Sequence, residues 1–230
     1  MTDVAGNFQR VRDQAAGAAV RAGRDPRSVR IVAVSKTKPV EMIEQAIAAG
    51  VTDIGENYVQ EAAEKIRRIT APVTWHMIGH LQRNKAARAV ELFDLIHTLD
   101  SVPLAAALAR RGEQCGRPVR ALIEVNIGGE ATKRGVAPAE IAALLDALAA
   151  HRWLLIDGLM TIPPPAESAA AVRPHFRALR ELRDRLQSSA PANARLRELS
   201  MGMTDDFPVA IEEGATMVRI GRAIFGEREA

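Results

Sequence analysis

Arg30-Ile31-Val32-Ala33-Val34-Ser35-Lys36-Thr37-Lys38-Pro39 is the stretch on which the fold turns. Its first half is a short apolar run rich in β-branched residues, as in a strand buried on both faces, and it stops at a lysine, a threonine and a proline. Val40 to Ala49 follows with helical periodicity and ends at Gly50, the residue type that caps a helix in a left-handed conformation. Strand, polar loop and helix make one βα unit. The loop carries no Gly-x-Gly-x-x-Gly, so an open dinucleotide-binding sheet loses its main signature.

The same alternation extends in both directions. Candidate strands are Arg30 to Ser35, Asp53 to Asn57, Thr74 to Gly79, Asp94 to Leu99, Arg120 to Asn126, Leu154 to Met160, Leu196 to Ser200 and Met217 to Gly221. Between them lie helical segments such as Ala139 to Ala150 and Asp205 to Glu213, the latter ending at Gly214, with one extra helix ahead of the first strand. Alternation of this kind implies a parallel sheet covered by helices. Eight units in 230 residues favour closure, so the expected fold is α/β, a single (β/α)8 TIM barrel over residues 1–230 with an extra N-terminal helix. No Gly- or Ser-rich linker divides the chain, and Pro163 to Pro165 falls just past a strand end, as a loop does.

Composition narrows the function classes. The chain has 31 basic and 28 acidic residues and eight aromatics, which offers neither a large charge excess nor a stacking platform for nucleic acid. The most basic stretch, Arg173 to Arg185, sets Phe176, Leu179, Leu182 and Leu186 at helical spacing, the pattern of an amphipathic helix with a solvated face. No apolar run approaches the ~20 residues of a membrane span. Charges at Asp3, Arg10, Arg12 and Asp13 interrupt the apolar core a signal peptide needs, so a cytoplasmic location is expected. The single cysteine, Cys115, sits in a turn-like segment and reads as an incidental thiol.

In a barrel of this type, function gathers at the C-terminal ends of the strands. Lys36 stands at the first of these, in a chain with 26 arginines and five lysines. A partly desolvated lysine there can act as an amine nucleophile toward a carbonyl, and the plainer alternative is an ion pair at the rim. The last two strands run into Ser200-Met201-Gly202-Met203-Thr204 and Arg219-Ile220-Gly221-Arg222, adjacent glycine-containing loops of the kind that cradle phosphate. Gly202 and Gly221 allow close backbone approach, Ser200 and Thr204 offer hydroxyls, and Arg222 adds charge. Amine and cradle on one rim point to an aldehyde-bearing phosphorylated cofactor, and pyridoxal 5′-phosphate fits both. Arg219 can then face the pyridine nitrogen, where a fixed positive charge makes the ring a poor electron sink; its ordinary alternative is an ion pair with a rim carboxylate such as Glu56. Asn57 is a candidate for contact with the ring, and His80 for lining the pocket. His76 and His80 are spaced i,i+4, yet they flank a strand, so the metal-binding geometry of a helix does not apply.

Several segments together resemble the pyridoxal phosphate homeostasis proteins, which look like the barrel domain of alanine racemase standing alone. They are Ala33-Val34-Ser35-Lys36-Thr37-Lys38-Pro39, Gly55-Glu56-Asn57-Tyr58, His76 to Lys85, Gly158-Leu159-Met160-Thr161, Leu199 to Asp206 and Val218 to Gly226, in order along most of the chain. The resemblance implies a closed barrel, a Schiff base between pyridoxal phosphate and Lys36, and Arg219 facing the ring nitrogen. It also implies phosphate contacts from Ser200, Gly202, Gly221 and the backbone around them. Where the family commonly has a small or hydroxylated residue after the Ile-Gly pair, this chain has Arg222, which leaves its backbone N–H for that contact. The Asn126 to Gly135 loop, with Glu130 and Lys133, also resembles the family's.

Two functions compete on this reading. One is a carrier that binds, stores and supplies the cofactor, with apo-forms of pyridoxal enzymes as partners and the chain acting as a monomer. The other is an amino-acid racemase, which needs an acid–base group on each face of the α-carbon. The racemase tyrosine comes from a C-terminal β-domain, whereas this sequence runs to Ala230 just past the eighth strand, and Tyr58 is its only tyrosine. The carrier is therefore the expected function.

Overall fold

The computed structural model describes residues 2–130 and 134–227; Lys133 lies outside the described residues. Strands β1 (Arg30–Val34), β2 (Asp53–Glu56), β3 (Thr74–Met77), β4 (Leu95–Leu99), β5 (Val119–Glu124), β6 (Leu154–Met160), β7 (Ala194–Ser200) and β8 (Met217–Ile220) close into one parallel barrel in chain order. The helices are α1 (Val4–Arg21), α2 (Val40–Ala48), α3 (Val59–Arg68), α4 (Ala86–Leu92), α5 (Val102–Gln114), α6 (Ile141–Leu148), α7 (Ala169–Gln187), α8 (Phe207–Glu212) and α9 (Arg222–Phe225). The expected (β/α)8 fold with an extra leading helix is the one observed. That helix, α1, buries Val4, Phe8, Val11, Ala15 and Ala18, a stripe at helical spacing that packs on α2, α8 and α9.

Closure sets the site. β1 pairs with β8 through Val32 opposite Arg219 and Ala33 opposite Ile220, so Lys36, two residues past β1, emerges beside the loop that follows β8. Most buried apolar side chains lie in one cluster shared by the strands and the surrounding helices. A separate small cluster, Val32, Leu95, Leu122, Met160 and Met217, includes Leu95 and Met217, each two residues before an inward polar residue, His97 and Arg219. The barrel interior thus combines this apolar cluster with a buried polar set that includes Asp53, His76, His97 and Arg219.

Element ends differ from expectation where side chains compete with the backbone. The helix expected from Asp205 begins at Phe207, because the Asp206 carboxylate accepts the Met203 N–H at 2.6 Å and holds the preceding turn. The segment from Ala139 opens as a 3-10 turn, Pro138–Glu140, before α6. β7 starts at Ala194 and carries a register shift against β6 between Ile156 and Gly158. A Cβ on Gly158 would stand 1.9 Å from the Glu198 carbonyl oxygen, so only glycine permits that approach.

Candidate functional site

The loop after β1 is held from below. Lys65 of α3, buried, donates to the Ser35 carbonyl at 2.7 Å, to Glu56 Oε1 at 2.7 Å and to Glu61 Oε1 at 2.6 Å. Ser35 Oγ donates to the same Glu56 oxygen, and Glu61 Oε1 accepts the Thr37 N–H. Thr37 is in the left-handed region at φ 65°, a conformation this clamp supports. Burial pushes the Glu56 carboxyl upward against the opposing hydrogen bonds from Lys65 and Ser35. Glu56 is therefore the partner of Lys65, and the ion pair with Arg219 considered above does not form.

Above the clamp, half-buried Lys36 borders a cleft of about 270 Å³ together with Asn57, Thr204, Arg219, Gly221 and Arg222. A second recess of about 370 Å³ adjoins it, sharing Val34, Lys36, Gly221 and Arg222 and adding Lys38. Arg222 pairs with Asp205 at 2.6 and 2.7 Å and with Glu227 at 3.3 Å, so its charge is shared with two carboxylates. Arg219 is buried. It donates to Ser200 Oγ at 2.7 Å and to the Thr161 carbonyl at 2.9 Å. Burial lowers its pKa to about 10, with Glu124 and Asp206 opposing, so it stays a cation at neutral pH. Glu124, at the end of β5, is raised to about 7 by burial and by Asp100, against the pull of Arg219 and Arg134.

Lys36, Asn57, Arg219, Gly221 and Arg222 thus meet in one cleft, as the sequence suggests. Ser200 and Gly202 do not line it. The Ser200 hydroxyl is fully buried between Arg219 and His97 and is hydrogen-bonded to both. Gly202 has φ 95°, and a Cβ there would come within 2.6 Å of Ala210 Cβ, so this glycine serves the turn and its packing on α8. The cleft's hydroxyl comes from Thr204 instead. Tyr58, 60% exposed, and His80 border a separate groove next to Asn57. His76 points into the barrel, 2.9 Å from both Asp53 and His97. Sequence reasoning passed over His97 and Glu124, although a histidine within Leu95-Ile96-His97-Thr98-Leu99 and a glutamate ending an apolar strand are the polar interruptions that mark an inward functional layer.

A lysine after the first strand, an arginine on the last and a glycine loop between them give a barrel of the alanine-racemase type. The family model for the alanine racemase N-terminal domain matches residues 7–229. The pyridoxal phosphate homeostasis protein of Pseudomonas aeruginosa is 42% identical over 230 residues, covering 100% of this chain and 97% of that protein, and its namesake in Escherichia coli K12 is 41% identical over 233 residues, covering 100% and 98%. Among solved structures, PipY of Synechococcus elongatus with pyridoxal phosphate bound superposes with a TM-score of 0.83 at 38% identity, covering 97% of this chain and 100% of PipY. Alanine racemase from Corynebacterium glutamicum shares the fold at a TM-score of 0.69 and 17% identity, over 95% of this chain and 60% of the racemase. The chain belongs to the alanine racemase N-terminal domain family and, within it, to the pyridoxal phosphate homeostasis proteins.

Proposed function

We propose that this chain binds pyridoxal 5′-phosphate in the cleft at the C-terminal rim and serves cofactor homeostasis by holding and supplying it without substantial catalytic turnover. The observation that carries this is the convergence of Lys36, Arg219 and Gly221 on one cleft. The residues present suit the group. Lys36 offers a primary amine for the aldehyde, Thr204 and the backbone at Gly221 and Arg222 offer donors for the phosphate, and Arg219 offers a cation for the ring nitrogen. When bound, the cofactor supplies an aldehyde carbon that condenses with an amine and releases water.

Each residue has a defined task. The Lys65 clamp orients the Lys36 loop. Asn57 stands where it can pack against the ring. Arg219, charged at neutral pH, disfavours a second positive charge on the ring nitrogen and so weakens the electron sink that carbanion chemistry requires. The acid–base candidate Tyr58 borders the neighbouring groove rather than this cleft, which also supports binding over turnover. The working form is a single-domain, cytoplasmic monomer whose partners are apo-forms of pyridoxal enzymes. Among the described residues no helix is long and apolar enough to cross a membrane.

The test is delivery. Loaded protein, freed of unbound cofactor, is mixed with an apo-form pyridoxal enzyme, and reactivation is compared with free cofactor at equal concentration. Reactivation with matching loss of cofactor from this chain is the expected result. Cofactor that stays bound through long incubation while the enzyme remains inactive would refute supply.

A further inference from the structure

A line of polar side chains crosses the barrel interior beneath the cleft, and one placement of its hydrogens gives every donor in the line an acceptor. Arg219 Nη1 donates to Ser200 Oγ at 2.7 Å. Ser200 Oγ lies 2.9 Å from His97 Nδ1, His97 Nε2 lies 2.9 Å from His76 Nδ1, and His76 Nε2 lies 2.9 Å from Asp53 Oδ1. The guanidinium has only donors, so the Ser200 hydroxyl accepts from Arg219, and its own hydrogen finds an acceptor in the line at His97 Nδ1. His97 then carries its hydrogen on Nε2 and gives it to His76 Nδ1; His76 carries its hydrogen on Nε2 and gives it to the Asp53 carboxylate. In this placement both rings are neutral, and every bond points from the buried cation to the anion. A proton on both nitrogens of either ring would turn His97 Nδ1 into a donor and leave the Ser200 hydrogen without an acceptor.

The surroundings favour this state. Burial pushes the His97 imidazole well below its usual range, and His76, Arg219 and Arg30 beside it push the same way. Burial of Asp53 opposes ionisation, but hydrogen bonds from His76 and Thr52, with the electrostatic pull of His76 and Arg30, outweigh it and hold the carboxyl below its usual range. Asp53 also borders a cleft of about 500 Å³ between α1 and the start of β1, at the opposite end of the barrel from Lys36. Dipoles aligned between fixed charges reinforce one another in a low-dielectric interior.

We propose that Asp53, His76, His97 and Ser200 are positioning residues that form one polarised relay, locking Arg219 in place and coupling the charge at the base of the barrel to the ring of the bound cofactor. This rests on the reading that pyridoxal phosphate occupies the cleft, and the experiment separates the two. In cofactor-free protein, long-range ¹H–¹⁵N spectra of the histidine side chains should show His76 and His97 as neutral Nε2–H tautomers at neutral pH. An Nδ1–H tautomer or an imidazolium at either ring would overturn the relay whatever binds above it.

In loaded protein, Asp53→Asn removes the anion that aligns the relay's dipoles away from Arg219, so the absorbance titration of the bound chromophore should move to lower pH by on the order of a few tenths of a unit. Ser200→Ala cuts the relay at its other end, so adding Asp53→Asn to it should move that titration much less. Equal shifts with and without Ser200, or no shift in a folded Asp53→Asn protein, would refute the coupling. If Asp53→Asn does not fold, His76→Asn in both backgrounds replaces it with the same expected non-additivity. Protein that shows the tautomers but never binds pyridoxal phosphate sinks both the coupling and the functional reading, whereas wrong tautomers in protein that loads normally sink the relay alone.

Discussion

Replacing Glu124 by glutamine isolates the cost of a buried carboxylate beside the site. Glu124 is 8% exposed, and its Oε2 has no hydrogen-bond partner among the described residues. Burial and the nearby Asp100 raise its carboxyl from 4.5 to about 7. Because the native state holds this proton more tightly than the unfolded chain, the protonated carboxyl supports the fold at low pH. That support is lost as pH climbs from the unfolded value through the native one. The change from 4.5 to about 7 is worth about 3 kcal/mol across the window, since each unit is about 1.4 kcal/mol. Glutamine carries no titratable proton and should abolish the slope. Urea unfolding of both proteins at about pH 4.5 and about pH 8 should therefore show Glu124→Gln gaining about 3 kcal/mol on the parent as pH rises, or roughly 6–12 °C in Tm at this chain length. Parallel stability at the two pH values, or a variant that falls behind as pH rises, would mean that the carboxylate is solvated or paired and that the reasoning fails.

Lys36→Ala should lose all borohydride-fixable cofactor yet keep weak, reversible affinity through the phosphate donors, read by equilibrium dialysis. Thr204→Ala should weaken retention about tenfold in the same assay, the loss of one charge-assisted hydrogen bond of ~1.5 kcal/mol, while Lys36 still reacts. Gly202→Ala should destabilise the fold by roughly 2 kcal/mol in urea, because φ 95° and a Cβ within 2.6 Å of Ala210 Cβ leave no room for a methyl group. Loaded protein incubated with L-alanine in deuterated water should show no α-proton exchange by NMR at enzyme-like rates of ~1 per second; such exchange would return the chain to the racemases.

The barrel was readable because strand and helix periods differ and alternate regularly. Arg30 to Val34 and Leu154 to Met160 are strands in both sequence and structure. That Lys36, Arg219 and Gly221 share one cleft was legible because closure of β8 onto β1 brings the rims of the first and last strands together, a consequence of topology alone. Ser200 is a different case. Its hydroxyl lies between His97 and Arg219, contacts that cross the barrel and that no local spacing encodes. The His76 and His97 pairing joins adjacent strands and its continuation to Ser200 and Arg219 crosses the barrel, so no sequence spacing encodes it. Lys65 was hidden among the charges of an exposed-looking helix, where only the fold brings it to Ser35 and Glu56 at the β1 and β2 rims beside Glu61 of its own helix.

Covalent capture by Lys36 is tested most directly by reducing the pyridoxal phosphate-loaded protein with borohydride and mapping the pyridoxyl group by peptide mass spectrometry. The expected result is one modified site, on the peptide containing Lys36, with stoichiometry that falls to background in Lys36→Ala. Modification found mainly on Lys38 or Lys133, or unchanged in Lys36→Ala, would contradict it.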